Sequence, residues 1–300
     1  MNTCTTIDPT QIDQMSVHNY LLSAVAPRPI CFASTIDHKG NVNLSPFSYF
    51  NVFSSNPPIL IFSPARSGKD NSQKDTLLNV LEVKEVVINI IDHPLLEQMS
   101  LSSAPYERGI NEFVKSGLTQ VKSTKILPPR VGEAPISFEC KVNQVIPLGD
   151  GPGAGNLILA EVVLMHFQNK FLNNHGNLDT TKIDWVARMG ERWYAKINKE
   201  DLFQFPKPAT KNCIGVDQLP ESAQKSTVLT GNDLAQLGKN ERIPTQAELD
   251  QTTNTDAIRK IIASTKNGDN VPLFHQLAKE ELAQENYFTA LAIVFLAEGL

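Results

Sequence analysis

The chain has 300 residues, 41% of them hydrophobic and 20% charged, with a formal net charge of −5 at pH 7. That composition supplies a sizeable core, and the negative balance gives no general electrostatic reason to bind nucleic acid or an anionic membrane. Any cation-rich site must be local.

The first residues, "MNTCTTIDPTQIDQMSVHNYLL", lack the basic start and continuous apolar run of a secretory signal, so a cytoplasmic protein is expected. Strand-like runs rich in β-branched and aromatic residues follow at "RPICFASTI" (28–36), "PPILIFS" (57–63), "KEVVINII" (84–91), "ISFECKVNQVI" (136–146) and "LILAEVVLMHF" (157–167). A helix is predicted over roughly residues 72–82, where Leu77, Leu78 and Leu81 recur at helical spacing and Ser72, three residues before Asp75, can cap the start. The strands do not alternate with long helices, so a mainly β, antiparallel barrel is expected rather than a doubly wound sheet. The glycines of "IPLGDGPGAGNLI" lie between two strands with no helix behind them, and they read as a hairpin loop.

After about residue 210 the pattern becomes helical, in "TGNDLAQLG", "PTQAELDQ", "TDAIRKIIAST" and "VPLFHQLAKEELAQENYFTALAIVFLAEG". Two segments are therefore expected, 1–210 and a helical extension over 211–300. The run "TALAIVFLA" is shorter than the roughly 20 residues that cross a bilayer, so no membrane span is expected. Being apolar nearly all round, it should dock on the barrel or on a dimer surface. Cys4, Cys31, Cys140 and Cys213 show no CxxC spacing and read as reduced thiols, Cys31 and Cys140 inert within strands.

The stretch "SPARSGKDNSQKDTLLN" (63–79) sets hydroxyls and three cations directly after an apolar strand and before a helix start. Such a set suits an anion, foremost a phosphate ester, although a solvated loop with a capped helix would use the same residues. No HExxH pair or GxSxG elbow supports metal or serine hydrolysis, and no metal site is expected. An enzyme without its own reactive groups borrows a cofactor's.

The run "APRPICFASTIDHKGNVNLSPFSYFNVFSSNPPILIFSPARSGKDNSQKDTLLNVLEVKEVVINII", continued by "PPRVGEAPISFECKVNQVIPLG", "GAGNLILAEVVLMH" and "KIDWVARMGERWY", closely resembles the flavin reductase-like FMN-binding proteins, flavoredoxin among them. The resemblance covers roughly residues 20–210. It implies a Greek-key split β-barrel that binds FMN, usually as a homodimer, with peripheral helices. It further implies that Ser63, Arg66, Lys74, Asp75 and Thr76 hold the FMN phosphate, a group of about −1.5 to −2 charges. Lys69 would share that role or be solvated. Asp75 would act through backbone donors or a neighbouring cation.

For the flavin ring the resemblance implies Ser45, Phe47, Ser48 and Asn51 in "NLSPFSYFN", a stretch that a bulged strand and turn around Pro46 would also explain. Ser34, Thr35 and Asn89 are further candidates for the ribityl chain and ring edge. Trp193 and Tyr194 are expected beside the site, reaching the flavin of the partner subunit or packing in the dimer interface. Two departures from the commoner family pattern bear on the substrate pocket: Cys31-Phe32 in place of a small residue and tryptophan, and Glu191 where glycine is frequent. The implied activity is NAD(P)H-dependent flavin reduction, with NADH or NADPH stacking on the flavin and passing a hydride to N5. No protein acid or base is required. A flavin-accepting monooxygenase or an electron-transfer protein is the implied partner. The alternative is a flavoredoxin-like electron carrier, or an FMN-binding protein that never meets a nicotinamide.

Overall fold

The computed structural model describes residues 3–205, 212–264 and 270–298, and the chain divides into two compact units, residues 1–203 and 204–300. The boundary expected near residue 210 lies outside the described residues.

Unit 1 begins with helix α1 (Gln14–Ala24), capped by the Asp13 carboxylate on the Ser16 N–H at 2.9 Å. The strands β1 (Arg28–Pro29), β2 (Cys31–Ile36), β3 (Val42–Phe47), β4 (Phe50–Ser55) and β5 (Pro58–Phe62) follow. Helix α2 (Asp75–Glu82) leads to β6 (Glu85–Ile90), then to helices α3 (Leu96–Ser102) and α4 (Glu112–Ser116) and the short strands β7 (Gln120–Val121) and β8 (Arg130–Val131). The long hairpin of β9 (Ile136–Pro147) and β10 (Asn156–Phe167) precedes β11 (Trp185–Arg188) and β12 (Tyr194–Ile197). Seven strands form one antiparallel sheet in the order β3-β2-β6-β9-β10-β5-β4, and β1-β11-β12 form a second sheet.

The edges of the large sheet are β3 and β4, yet only Ser48 and Tyr49 separate them in the chain. Six inter-strand spacings would put the edges of a flat sheet about 29 Å apart, whereas the linking residues reach only about 10 Å. The sheet must therefore roll into a barrel open along that seam. Cys31, Ala33, Phe47, Phe62, Ile88 and Ile158 fill the interior, and Leu77 and Val80 of α2 plug it. On the outer face Phe32 and Leu44 pack under α3 and α4 with Phe113. With both faces of β2 covered, its residues from Cys31 to Thr35 are all buried, which is why it reads as a continuous run rather than an alternating one.

The predicted cap of α2 is corrected: Lys74 occupies the N-cap without a side-chain bond, and the Ser72 hydroxyl donates instead to Asp70 at 2.8 Å. Lys74 adopts extended backbone, so the helix begins at Asp75, with its cap two residues after the expected Ser72.

Unit 2 is helical: α5 (Glu221–Gln224), α6 (Gly231–Gly238), α7 (Gln246–Thr253), α8 (Asp256–Ser264), α9 (Val271–Ala283) and α10 (Tyr287–Glu298). Capping boxes at Thr230/Asp233 and Thr245/Glu248 start α6 and α7. The apolar circumference of α10 needs no barrel surface, contrary to expectation from the sequence. Helices α5, α6, α7 and α9 surround it, and Ala290, Leu291, Ile293 and Val294 join Leu237, Ile258 and Phe274 in one core. Among the described residues no helix is long and apolar enough to cross a membrane.

Glu139 ties the 119–131 segment to the sheet. Its fully buried carboxylate accepts the N–H groups of Thr124 (2.7 Å) and Lys125 (2.6 Å) and faces His166 Nε2 at 2.7 Å. Burial alone would raise its pKa, but these two amides and the His166 ring hold it below the ordinary 4.5. The unfolded chain therefore takes up this proton first as pH falls. The resulting stabilisation is complete above pH 4.5 and lost as pH drops through the folded-state value. Urea unfolding should show Glu139→Gln destabilised by about 1–3 kcal/mol at pH 7, with the difference from wild type shrinking below pH 4.5. A difference that stays constant with pH would contradict this role.

Candidate functional site

The loop after β5 is built by the β9–β10 hairpin beneath it. Arg66 N–H donates to Ala154 O at 2.8 Å, and Gly153 N–H donates back to Arg66 O at 3.2 Å. Ser63, 8% exposed, accepts the Asn156 N–H through Oγ at 3.0 Å and keeps its own proton to donate. The approach is close enough that a Cβ on Gly155 would stand 2.7 Å from Ser63 Oγ. Beyond Arg66 the loop closes on itself, Ser67 N–H to Ser72 O at 2.9 Å, and delivers the chain to the start of α2.

Arg66 is half-buried and held by one side only. Its Nε donates to Asn71 Oδ1 at 2.7 Å, while Asn71, at φ 59°, anchors to Asp150 O at 2.9 Å. The two Nη groups take no acceptor among the described residues, leaving the fork of donors that suits a phosphate. Asp75 and Thr76 are the first residues of α2, and their backbone N–H groups have no acceptor inside the helix. Lys74 is exposed beside them. Each of these groups, the guanidinium fork, the helix start and the Ser63 hydroxyl, has donor capacity of the kind that suits an anion.

Other expected residues lie elsewhere. The Thr76 hydroxyl turns inward and accepts from Asn43 Nδ2 at 3.0 Å, and Thr35 accepts from Asn79 Nδ2 at 3.2 Å, so these two hydroxyls belong to a buried cluster between β2, β3 and α2. Ser34, on the opposite face of β2, is fully buried with Oγ unpartnered. Asn89 is enclosed as well: its Oδ1 accepts Val131 N–H at 3.0 Å and Ser137 Oγ at 2.8 Å, fastening β8 to the sheet. The Asp75 carboxylate pairs with Arg108 at 3.1 Å. Lys69 is exposed.

The 43–51 stretch forms strand, turn and strand. Ser45 faces Ala33 in register, and Asn51 on β4 is exposed and accepts its neighbour's N–H at Val52, 2.8 Å. Phe47 packs on Phe62 at 5.4 Å between ring centroids. Its outer edge and Ser48 border a groove of about 260 Å³ shared with Tyr194. The N–H of Ser63 donates to Tyr49 O at 2.9 Å, so the turn also abuts the anion-type loop. Trp193 is 73% exposed and lies outside that groove.

The two departures from family pattern separate. Cys31 and Phe32 are fully buried on opposite faces of β2, in two different core clusters. Burial pushes the Cys31 thiol well above its ordinary pKa, with Cys140 adding to the effect, and burial also raises Cys140, so neither is nucleophilic at neutral pH. Glu191 adopts φ 50°, the left-handed region that favours glycine, and its carbonyl accepts from Arg188. Sequence reasoning missed Asn71, Asn156, Arg28 and Arg188. The last lies in the quoted "VARMGERWY" but carries no local signal of its partners.

The model of the flavin reductase like domain family matches residues 23–182. An uncharacterized protein of Aquifex aeolicus is 35% identical over 186 residues, 62% of this chain and 92% of its own length. The structure of nitrilotriacetate monooxygenase component B from Bacillus cereus superposes with a TM-score of 0.63 at 28% identity, over 69% of this chain and all of that one. A split barrel domain structure from Shewanella frigidimarina superposes at 0.57 with 23% identity, over 66% and 95% of the two chains, and speaks for the fold alone.

The Gly155–Ser63 contact makes a direct test of the loop geometry. Gly155→Ala should destabilise by about 1–3 kcal/mol through the clash with Ser63 Oγ. Combined with Ser63→Ala, whose removal of Oγ relieves it, the double variant should be about 1 kcal/mol more stable than the sum of singles predicts. Strict additivity of the urea midpoints would show that the two do not touch.

Proposed function

We propose, since the chain belongs to the flavin reductase like domain family, that it is an FMN-dependent oxidoreductase acting as an NAD(P)H:flavin reductase within a Greek-key split barrel. The observation that carries the reading is the Arg66 fork, fixed through Nε by Asn71 and open at both Nη groups among the described residues, in the loop that leads into the start of α2. Ser63, Arg66, Lys74 and the backbone of Asp75 and Thr76 would hold the phosphate. Ser45, Phe47, Ser48 and Asn51 would meet the ring, with Tyr194 across the groove and Trp193 available to a partner subunit in a homodimer. FMN, when bound, supplies the hydride acceptor.

The protein's own work is then positional. Arg66 and the helix start neutralise a dianion, Asp75 holds Arg108 in place, and the Phe47–Phe62 pair stiffens the wall next to the ring. No side chain needs to move a proton for hydride transfer, in keeping with the absence of a nucleophile–base pair from this reading. Nitrilotriacetate monooxygenase component B is by name one part of a monooxygenase, and a flavin-accepting monooxygenase is the partner proposed here; an electron-transfer protein would serve the alternative.

Arg66→Gln should weaken FMN binding by about 1.5–3 kcal/mol and riboflavin binding far less, because riboflavin lacks the phosphate. Equal losses would remove Arg66 from the cradle. NADH or NADPH oxidation by wild-type protein with added FMN tests the activity. Protein that binds FMN yet leaves both nicotinamides unoxidised would be a carrier instead.

A further inference from the structure

The groove beside Phe47 and Ser48 has a charge balance that the cofactor reading does not use. Two arginines line it, Arg28 from β1 and Arg188 from β11, and no aspartate or glutamate does. Arg28 is 6% exposed. Its guanidinium donates to the carbonyls of Leu22, Val25 and Met189, the last at 2.8 Å, while Nε has no partner. Arg188 lies 4.6 Å from the Tyr194 ring centroid and donates to the Tyr194 hydroxyl and Glu191 O. Neither arginine takes part in an ion pair among the described residues.

The two cations also feel each other. Burial lowers the Arg28 pKa from its ordinary value, Tyr49 opposes that shift, and the positive charge of Arg188 adds to it. Carbonyl acceptors satisfy hydrogen bonds but do not cancel charge, so the groove carries an uncompensated positive field in a partly desolvated setting. Apolar side chains of Ile30 and Met99 complete its walls, a combination suited to a ring bearing an anionic group.

We propose that Arg28 and Arg188 bind the anionic group, a phosphate ester or carboxylate, of the reactant that meets the flavin, with the Ser48 and Tyr194 hydroxyls as neutral donors. The inference rests on the flavin reading, because Phe47, Ser48 and Tyr194 are shared with the proposed ring site. A nicotinamide dinucleotide supplies such an anion through its diphosphate, and an acidic acceptor supplies it through a carboxylate. Arg28 fixes the α1–β1 junction as well, so Arg188 is the residue to change.

Inorganic pyrophosphate, added with FMN in excess, should raise the melting temperature of the wild type and of Arg66→Gln but not of Arg188→Gln. A response that survives in Arg188→Gln would overturn the assignment. Should that variant not fold, Arg188→Lys, which keeps the charge and loses the fork, should bind pyrophosphate several-fold more weakly, and undiminished binding would refute the site. In turnover, Arg188→Gln should raise KM for NADH and NADPH tenfold or more with a smaller change in kcat. With N-benzyl-1,4-dihydronicotinamide, which has no anion, the rise in KM should be at least fivefold less. An equal rise for neutral and charged donors would mean that the groove does not read charge, and a rise confined to an acidic acceptor would identify the carboxylate as the anion. If Arg188→Gln weakened FMN far more than riboflavin, the groove would hold the cofactor's phosphate and the proposal would fail. Wild-type protein that responds to pyrophosphate but oxidises no nicotinamide would overturn the flavin reductase reading while the anion groove stood.

Discussion

Two residues, Ser48 and Tyr49, carry the chain from one edge of a seven-stranded sheet to the other, and that short reach constrains the rest of unit 1. A link of this length forces the sheet to roll, and rolling encloses Phe47 and Phe62 in one interior. The same turn meets the loop after β5 through Tyr49 O and borders the groove through Ser48. The phosphate-type loop and the arginine groove are thus neighbours of a single reversal. Both are joined to that reversal through backbone atoms of the turn or residues flanking it.

Around that reversal, the protein handles charge in two ways. Among the buried carboxylates, Glu139 receives two backbone amides and an imidazole, Glu112, with its pKa raised by burial, accepts the Leu44 N–H at 2.8 Å, and Asp92 keeps one oxygen without a hydrogen-bond partner among the described residues. Where a charge faces an opening it is left partly unpaired, at the Nη groups of Arg66 and along the Arg28–Arg188 pair. Incomplete pairing of a partly buried cation costs stability. Asn71 shows how such a group is kept in place, since it binds Arg66 at Nε while leaning on the hairpin through Asp150.

The helical unit follows a different rule. Its α10 is apolar on every side, and the helices described in that unit bury it among themselves, with Leu237, Ile258 and Phe274 in one core with Leu291 and Val294. The capping boxes at Thr230 and Thr245 start two of those helices at positions where the sequence already carries the reciprocal side chains.

The sequence by itself determined the local elements: runs of Val, Ile and Phe became strands, and the glycines between β9 and β10 became a hairpin loop. These are properties of neighbours in the chain, and propensity and spacing report them. Tertiary structure alone decided which way each polar side chain faces. Ser34 and Thr35 are adjacent in sequence but lie on opposite faces of β2, Thr76 spends its hydroxyl on Asn43, and Asn89 is committed to Val131 and Ser137. Arg28 reaches Met189 across 161 positions of chain, and its proximity to Arg188 exists only because β1 pairs with β11. No residue type or spacing near either arginine encodes that pairing, because strand partners are chosen by tertiary packing, and it is the antiparallel register of β1 on β11, with Arg28 opposite Arg188, that brings two distant cations to one groove.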